Sequence, residues 1–307
     1  MAPVVADSAS RPDAQAQEEN RNYVKIEDLN LVLMSPLLHA FSFESKKWIA
    51  INVDFVSPVQ FDGSINRHLV ADEEDKEMLH SLVARHSRVA QGLEDPILQK
   101  GIGLVVLLSG PPGTGKTLMA EAIAEKAKRP LYCVDTRDLG SEYKSISKYF
   151  QRIMENAAEW NAIVLLDEAE MFLQRRNTKA RDSNEKVTAF LRCLEHVQGI
   201  LFMTTNFPEA LDVAVESRIH IHITVDRPSL NKRKRIWDHF LEKLPSLGRN
   251  HTLSDADRVT LASWAINGRQ IKNSFRMSLS VRESKTEPIT LRDLERMIRM
   301  SCPVAKK

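Results

Sequence analysis

The sequence predicts an α/β protein built on a doubly wound, parallel sheet of five strands. Five short apolar runs recur from residue 103 onwards, and the first four are separated by amphipathic stretches long enough to form helices. Nearly continuous apolar runs are typical of parallel strands that are covered on both faces. The predicted strands are GLVVLLSG (103–110), PLYCVD (130–135), AIVLLDEA (162–169), ILFMTTN (200–206) and IHIHITV (219–225).

Different patterns flank this sheet. After Pro228 the apolar runs give way to helical periodicity, which predicts a small helical bundle, and Thr290 with Asp293 is a predicted capping pair. Upstream of the sheet, strand-like runs predict a small β-rich segment, and residues 72–86 form a predicted amphipathic helix. The expected domains are a disordered tail (1–23), the β-rich segment (24–65), the α/β domain (66–226) and the helical domain (227–307).

Composition and charge limit the setting and the partners. With 43 Lys and Arg against 41 Asp and Glu, the net charge of +2 creates no large field for nucleic acid or anionic membranes. Three widely spaced cysteines suit a reducing compartment. No run approaches the roughly 18 apolar residues of a membrane span, and the N-terminal residues resemble neither a signal peptide nor a transit peptide. A cytoplasmic or nuclear protein without a membrane span is expected.

The segment GPPGTGKT lies between the first predicted strand and the following helix. It matches the phosphate-loop pattern G-x-x-x-x-G-K-[ST] in the strand–turn–helix context that gives the pattern its meaning. Backbone N–H groups of such a loop point at phosphate, Lys116 is expected to neutralise the β and γ oxygens, and the Thr117 hydroxyl to ligate Mg²⁺. The expected ATP-binding residues of this loop are Gly110, Pro111, Pro112, Gly113, Thr114, Gly115, Lys116, Thr117 and Leu118.

Polar side chains follow two further predicted strands. Asp167 and Glu168 end one strand and Asn206 ends the next, so parallel strands would bring all three to the edge of the sheet where ligands bind. Asp167 is expected to bind nucleotide and Mg²⁺. Glu168 is expected to polarise a water molecule for attack on the γ-phosphate, and Asn206 to hold that water or to sense the γ-phosphate.

The order and spacing of GPPGTGKT, IVLLDEAE, MTTN and ALDVAVESRI resemble the AAA family of ATPases over roughly residues 66–300. Within that family the chain is most similar to AAA ATPases abundant in fungal genomes. The resemblance implies a P-loop NTPase fold with a C-terminal helical lid. It also implies Mg²⁺-dependent ATP hydrolysis in an oligomeric ring, expected to be a hexamer, that remodels or disassembles a macromolecule, with protein as the expected class.

The resemblance also assigns roles to three further residues, Arg218, Arg269 and Tyr143. Arg218 becomes the candidate arginine finger that reaches the nucleotide of a neighbouring subunit, although the common family pattern has two arginines there and this sequence has one. Arg269 becomes a contact to the γ-phosphate of its own subunit, and Tyr143 a candidate pore-loop aromatic residue.

Alternatives remain open at this point. The chain could be an ATP-gated assembly scaffold with little hydrolysis, which Glu168 argues against, or a small-molecule kinase, which lacks a reason for the DEAE and SRI motifs. His220 and His222 alternate on a predicted strand but have no third metal ligand nearby. Neither the substrate nor the adenine pocket can be identified from the sequence.

Overall fold

The computed structural model describes residues 35–63, 65, 69–89, 103–139, 143–176, 181–281 and 288–305. The chain divides into two compact units, Met1–Phe61 and Asp62–Lys307. The predicted disordered tail lies outside the described residues, and the predicted border between the α/β domain and the helical domain stays a prediction. No helix within the described ranges is both long and apolar enough to cross a membrane.

The first unit contains an antiparallel hairpin of β1 (Leu37–Ser42) and β2 (Lys47–Asn52). Lys46 takes a positive φ of 55° at the turn, where its N–H donates to the Ser42 carbonyl (2.7 Å). Across the strands Phe41 pairs with Trp48, whose ring centroids lie 5.8 Å apart. Part of the predicted β-rich segment is therefore a hairpin, and its predicted residues 24–34 lie outside the described residues.

The second unit contains the predicted parallel sheet. Within the described residues it has five strands in the order β4-β5-β6-β3-β7, and all neighbouring strands run parallel. The predicted fold class is thus confirmed. The strands are β3 (Leu104–Ser109), β4 (Leu131–Asp135), β5 (Ile163–Asp167), β6 (Ile200–Thr205) and β7 (Ile221–Thr224).

Helices surround the sheet and bury apolar side chains against it. Two of them, α3 and α5, begin a few residues earlier than the apolar periodicity of the sequence indicates. The helices of this region are α1 (Glu73–Val89), α2 (Lys116–Lys126), α3 (Tyr143–Glu159), α4 (Glu170–Leu173), α5 (Arg181–Glu195) and α6 (Val213–Glu216). The short α4 and α6 were not predicted.

The C-terminal helices pack around their own apolar core, which includes the fully buried Trp237 and Leu294. The predicted capping pair is confirmed, since the Thr290 N–H donates to the Asp293 carboxylate (2.9 Å). Ser254 forms a similar capping box with Asp257. These helices are α7 (Leu230–Glu242), α8 (Asp255–Ser263), α9 (Gly268–Val281) and α10 (Leu291–Ser301).

Candidate active site

The glycine-rich loop connects β3 to α2, and two of its glycines are required by close contacts. Gly110 has a φ of 137°, and a Cβ there would lie 2.2 Å from the Val225 carbonyl oxygen. Gly113 has a φ of 75°, and a Cβ there would lie 2.8 Å from side-chain atoms of Asn267. Larger residues would therefore be strained in conformation and would collide with neighbouring elements. The loop can bend back over the end of β3 only with glycine at these positions.

Lys116 begins α2 and folds its side chain back onto the loop. Its Nζ donates to the carbonyls of Gly110 (2.7 Å) and Pro111 (2.9 Å) and to Oδ1 of Asn206 (2.8 Å). Burial lowers the pKa of Lys116, and the negative charges of Glu170 and Asp167 oppose that shift. All three donor hydrogens of the ammonium group thus have acceptors, and the carboxylates favour its charged form.

Asp167 ends β5 and is fixed by two hydroxyl groups. The Thr117 hydroxyl lies 3.0 and 3.1 Å from its two carboxylate oxygens, and the Thr204 hydroxyl donates to Oδ1 at 2.6 Å. Hydroxyl and carboxylate oxygens are the ligands that Mg²⁺ prefers. Thr117 and Asp167 consequently fit the predicted metal site.

Glu168 follows Asp167 in a left-handed conformation, with a φ of 52°. Its backbone N–H donates to the hydroxyl of Thr204 (2.9 Å), and its side chain is exposed. A non-glycine residue rarely adopts a positive φ, and such strain clusters at functional sites. Thr204, buried in β6, therefore supports both acidic residues, and sequence reasoning missed it.

Asn206 follows β6 and bonds to a second residue that sequence reasoning left without a role. Its backbone N–H and its side-chain Nδ2 both donate to Oε1 of Glu170, at 2.7 and 3.0 Å. Its Oδ1 accepts from Lys116. Lys116, Thr117, Asp167 and Asn206 thus meet at one sheet edge, as the sequence predicted, and Glu170 joins them. Its only signal in the sequence was its place at the end of the DEAE motif.

Arg218 is not bonded to this cluster. Its guanidinium donates to the Ala214 carbonyl (2.7 Å) and forms an ion pair with Glu195 at the end of α5. Its Nε is buried and has no hydrogen-bond partner among the residues described. Within this single chain, Arg218 is held by its own subunit.

Arg269 lies in the first turn of α9 and is exposed. Its positive charge is among those that lower the pKa of Lys116. The neighbouring Asn267 donates from Nδ2 to the Pro112 carbonyl of the glycine-rich loop (3.1 Å). The start of α9 is thereby tied directly to the loop.

The remaining predicted residues lie elsewhere. Tyr143 is the first residue of α3 rather than part of a loop; its side chain and residues 140–142 lie outside the described residues. His220 accepts from the Val105 N–H through Nδ1, while His222 bonds to Ser109 through Nε2. The two imidazoles therefore serve separate hydrogen bonds. In the described part of the chain, no group of three or more His, Cys, Asp or Glu residues is placed to hold a metal ion.

Comparison with known proteins agrees with this arrangement. Residues 106–227 match the model of the ATPase family associated with various cellular activities (AAA). Human ATP-dependent zinc metalloprotease YME1L1 is 26% identical over 255 residues, covering 78% of this chain and 32% of the relative. The meiotic spindle formation protein mei-1 of Caenorhabditis elegans is 29% identical over 213 residues, covering 62% and 44%. The chain thus spans about a third of the length of YME1L1.

Solved structures support the same fold. The crystal structure of the FIGL-1 AAA domain in complex with ADP superposes with a TM-score of 0.59 at 20% identity. The match covers 78% of this chain and 85% of that chain. At this identity the likeness concerns the fold alone.

Proposed function

Because the chain contains an ATPase domain of the AAA family, we propose that it hydrolyses ATP with Mg²⁺ and uses the energy to remodel or disassemble a macromolecule in an oligomeric ring. The observation that carries the proposal is the meeting of Lys116, Asp167 and Asn206 at one sheet edge, with Glu168 exposed beside them. A binding-only module has no need of a carboxylate in the position of Glu168.

The glycine-rich loop binds the phosphates of ATP. Its backbone N–H groups and the N-terminus of α2 favour negative charge. Lys116 exchanges its bonds to the carbonyls of Gly110 and Pro111 for the β and γ oxygens, so its side chain must extend when nucleotide enters. Thr117 and Asp167 hold Mg²⁺, which neutralises charge on the phosphate oxygens when bound.

Glu168 is the proposed general base. Its carboxylate takes a proton from a water molecule as the water oxygen forms a bond to the γ-phosphorus. The bond from that phosphorus to the β–γ bridging oxygen breaks at the same time, which yields ADP and phosphate. Asn206, fixed at the end of the neighbouring strand, holds the attacking water.

Arg218 is the proposed arginine finger for a neighbouring subunit. A guanidinium beside the γ-phosphate stabilises the charge that develops during phosphoryl transfer. Since Arg218 is paired with Glu195 in its own chain, the finger role requires it to leave that partner. The activity per subunit should then rise with protein concentration, and a rate per subunit independent of concentration would contradict the trans role.

Arg269 contacts the γ-phosphate in its own subunit, and a hexamer is the proposed assembly.

The macromolecular substrate is proposed from the relatives. Their names include ATP-dependent proteases and a protein of spindle formation, which supports work on a macromolecule and leaves its identity open. The finer resemblance to fungal ATPases, the cytoplasmic or nuclear location and a pore-loop role for Tyr143 all stay predictions.

The decisive experiment replaces Glu168 with Gln. Glu168→Gln should reduce phosphate release to background while ATP binding stays within about threefold of the wild type, since the amide keeps the shape but cannot accept the proton. Glu209→Gln, which changes another exposed carboxylate near the same edge, is the matched control. An equally inert wild type that still binds ATP would favour the scaffold function, and phosphate transfer to a metabolite would favour a kinase.

A further inference from the structure

Glu170 lies at the sheet edge that carries the candidate active site, but it has no role in the proposed reaction. It is the first residue of α4 and lies half-buried behind Asn206. One of its oxygens, Oε1, accepts from both the backbone N–H (2.7 Å) and the side-chain Nδ2 (3.0 Å) of Asn206. A single carboxylate oxygen therefore fixes the main chain and the side chain of the same residue.

These contacts determine which end of the Asn206 amide faces the nucleotide site. A carboxylate can only accept hydrogen bonds and an ammonium group can only donate them. Nδ2 must therefore face Glu170, and Oδ1 must face Lys116, which lies 2.8 Å away. The reverse orientation would place oxygen against oxygen at Glu170 and N–H against N–H at Lys116.

The element that carries Glu170 is itself held against β6. The Ala169 N–H, just before α4, donates to the Thr204 carbonyl (2.9 Å). Gln174, just after α4, forms a bridge with Leu211 on the segment that follows Asn206. Of the charges around Lys116, that of Glu170 raises the pKa of Lys116 most. The backbone on either side of Glu170 is thus fixed by neighbouring elements, and the negative charge of its side chain acts on Lys116.

We propose that Glu170 is a positioning residue, which acts through Asn206 by directing the carbonyl oxygen of that amide towards the attacking water. This inference rests on the proposed hydrolysis. A carbonyl oxygen can accept a hydrogen from the attacking water but repels a phosphate oxygen. Of the two tasks that the sequence left open for Asn206, orienting the water therefore follows, and binding the γ-phosphate through the amide does not.

The test compares two variants at residue 170 with one control variant at residue 209. Glu170→Leu removes the acceptor, whereas Glu170→Gln keeps a carbonyl oxygen that can accept both bonds. We expect Glu170→Leu to lower kcat for ATP hydrolysis about 10- to 100-fold with KM changed by less than about threefold, and Glu170→Gln to restore most of kcat. Glu209→Leu, on the exposed turn after Asn206, is the control and should keep the wild-type kcat.

Two further measurements separate positioning from a general structural role. In the Asn206→Ala background, Glu170→Leu should lower kcat by less than about threefold, because its effect passes through Asn206. Independently of turnover, the side-chain amide resonance of Asn206 in asparagine-labelled protein should shift further in Glu170→Leu, which loses the hydrogen bond, than in Glu170→Gln, which keeps an acceptor.

The outcomes that overturn the inference are distinct from failure of hydrolysis. An unmoved Asn206 resonance in Glu170→Leu overturns it even if the wild type proves unable to hydrolyse ATP. Additive losses in the double variant, or a Glu170→Gln variant as slow as Glu170→Leu, overturn it while leaving hydrolysis standing.

Discussion

Thr204 offers the sharpest test of how the acidic residues are held. Thr204 as a whole is 1% exposed. Its hydroxyl donates a hydrogen bond to the Asp167 carboxylate (2.6 Å) and accepts one from the backbone N–H of Glu168 (2.9 Å). Thr204→Val keeps the volume and removes both bonds. The bond to the charged group contributes about 1.5–3 kcal/mol and the neutral one about 0.5–1.5 kcal/mol. The free energy of unfolding should therefore fall by about 2–4.5 kcal/mol.

For a unit of this size, that loss corresponds to a fall in Tm of roughly 5–15 °C, measurable by calorimetry. The turnover number should also fall about tenfold or more, because the strained turn at Glu168 loses its support and the base moves. Thr204→Ser is the control, since it retains the hydroxyl and loses one methyl group, at a cost of about 1 kcal/mol. If Thr204→Ser is less stable than Thr204→Val, the hydroxyl does not have the role assigned to it.

Three other predictions follow from single contacts. Gly113→Ala should weaken ATP binding about tenfold, because alanine at a φ of 75° strains the glycine-rich loop by about 1–2 kcal/mol. Gly248→Ala is the control. Gly248 has a φ of 69° and open space around its Cβ, and this substitution should leave the Kd for ATP unchanged. Glu195→Gln should lower the protein concentration for half-maximal turnover by up to about fivefold, because an exposed ion pair holds Arg218 with up to about 1 kcal/mol; an increase would contradict the finger role. Burial lowers the pKa of His220 from 6.5, and its neutral ring accepts a backbone N–H. This stabilisation is present above pH 6.5 and is lost as the pH falls below it, so the drop in Tm between pH 7.5 and 5.5 should be smaller in His220→Gln.

The sheet edge could be predicted because its signals are local. Apolar runs identify parallel strands, and polar residues at their carboxyl ends must meet at one edge. Asp167 and Asn206 were found in this way. Thr204 was not, because a hydroxyl inside an apolar run has no distinct pattern. Its role depends on the register between β5 and β6, which pairs Leu166 with Met203 and so brings the next two residues together.

The partner of Arg218 could not be predicted for a related reason. Glu195 ends α5, which the sequence identifies as an amphipathic helix with a charged surface. The contact joins residues 23 positions apart, across a strand and the unpredicted α6. Helix periodicity tells which face is buried but not which exposed side chains of two elements will meet. The sequence therefore identified the arginine and not the carboxylate that holds it.

Asn267 links the first turn of α9 to the glycine-rich loop. The sequence identified the start of α9 through Arg269, yet the direct contact to the glycine-rich loop comes from Asn267. Its Oδ1 accepts the N–H of Gln270 (2.9 Å) and caps the helix, while its Nδ2 donates to the Pro112 carbonyl (3.1 Å). The same amide thus fixes the first turn of α9 and the position of the loop. If Lys116 releases the loop carbonyls to bind phosphate, as proposed above, a displacement of Pro112 would reach α9 through the Asn267 side chain.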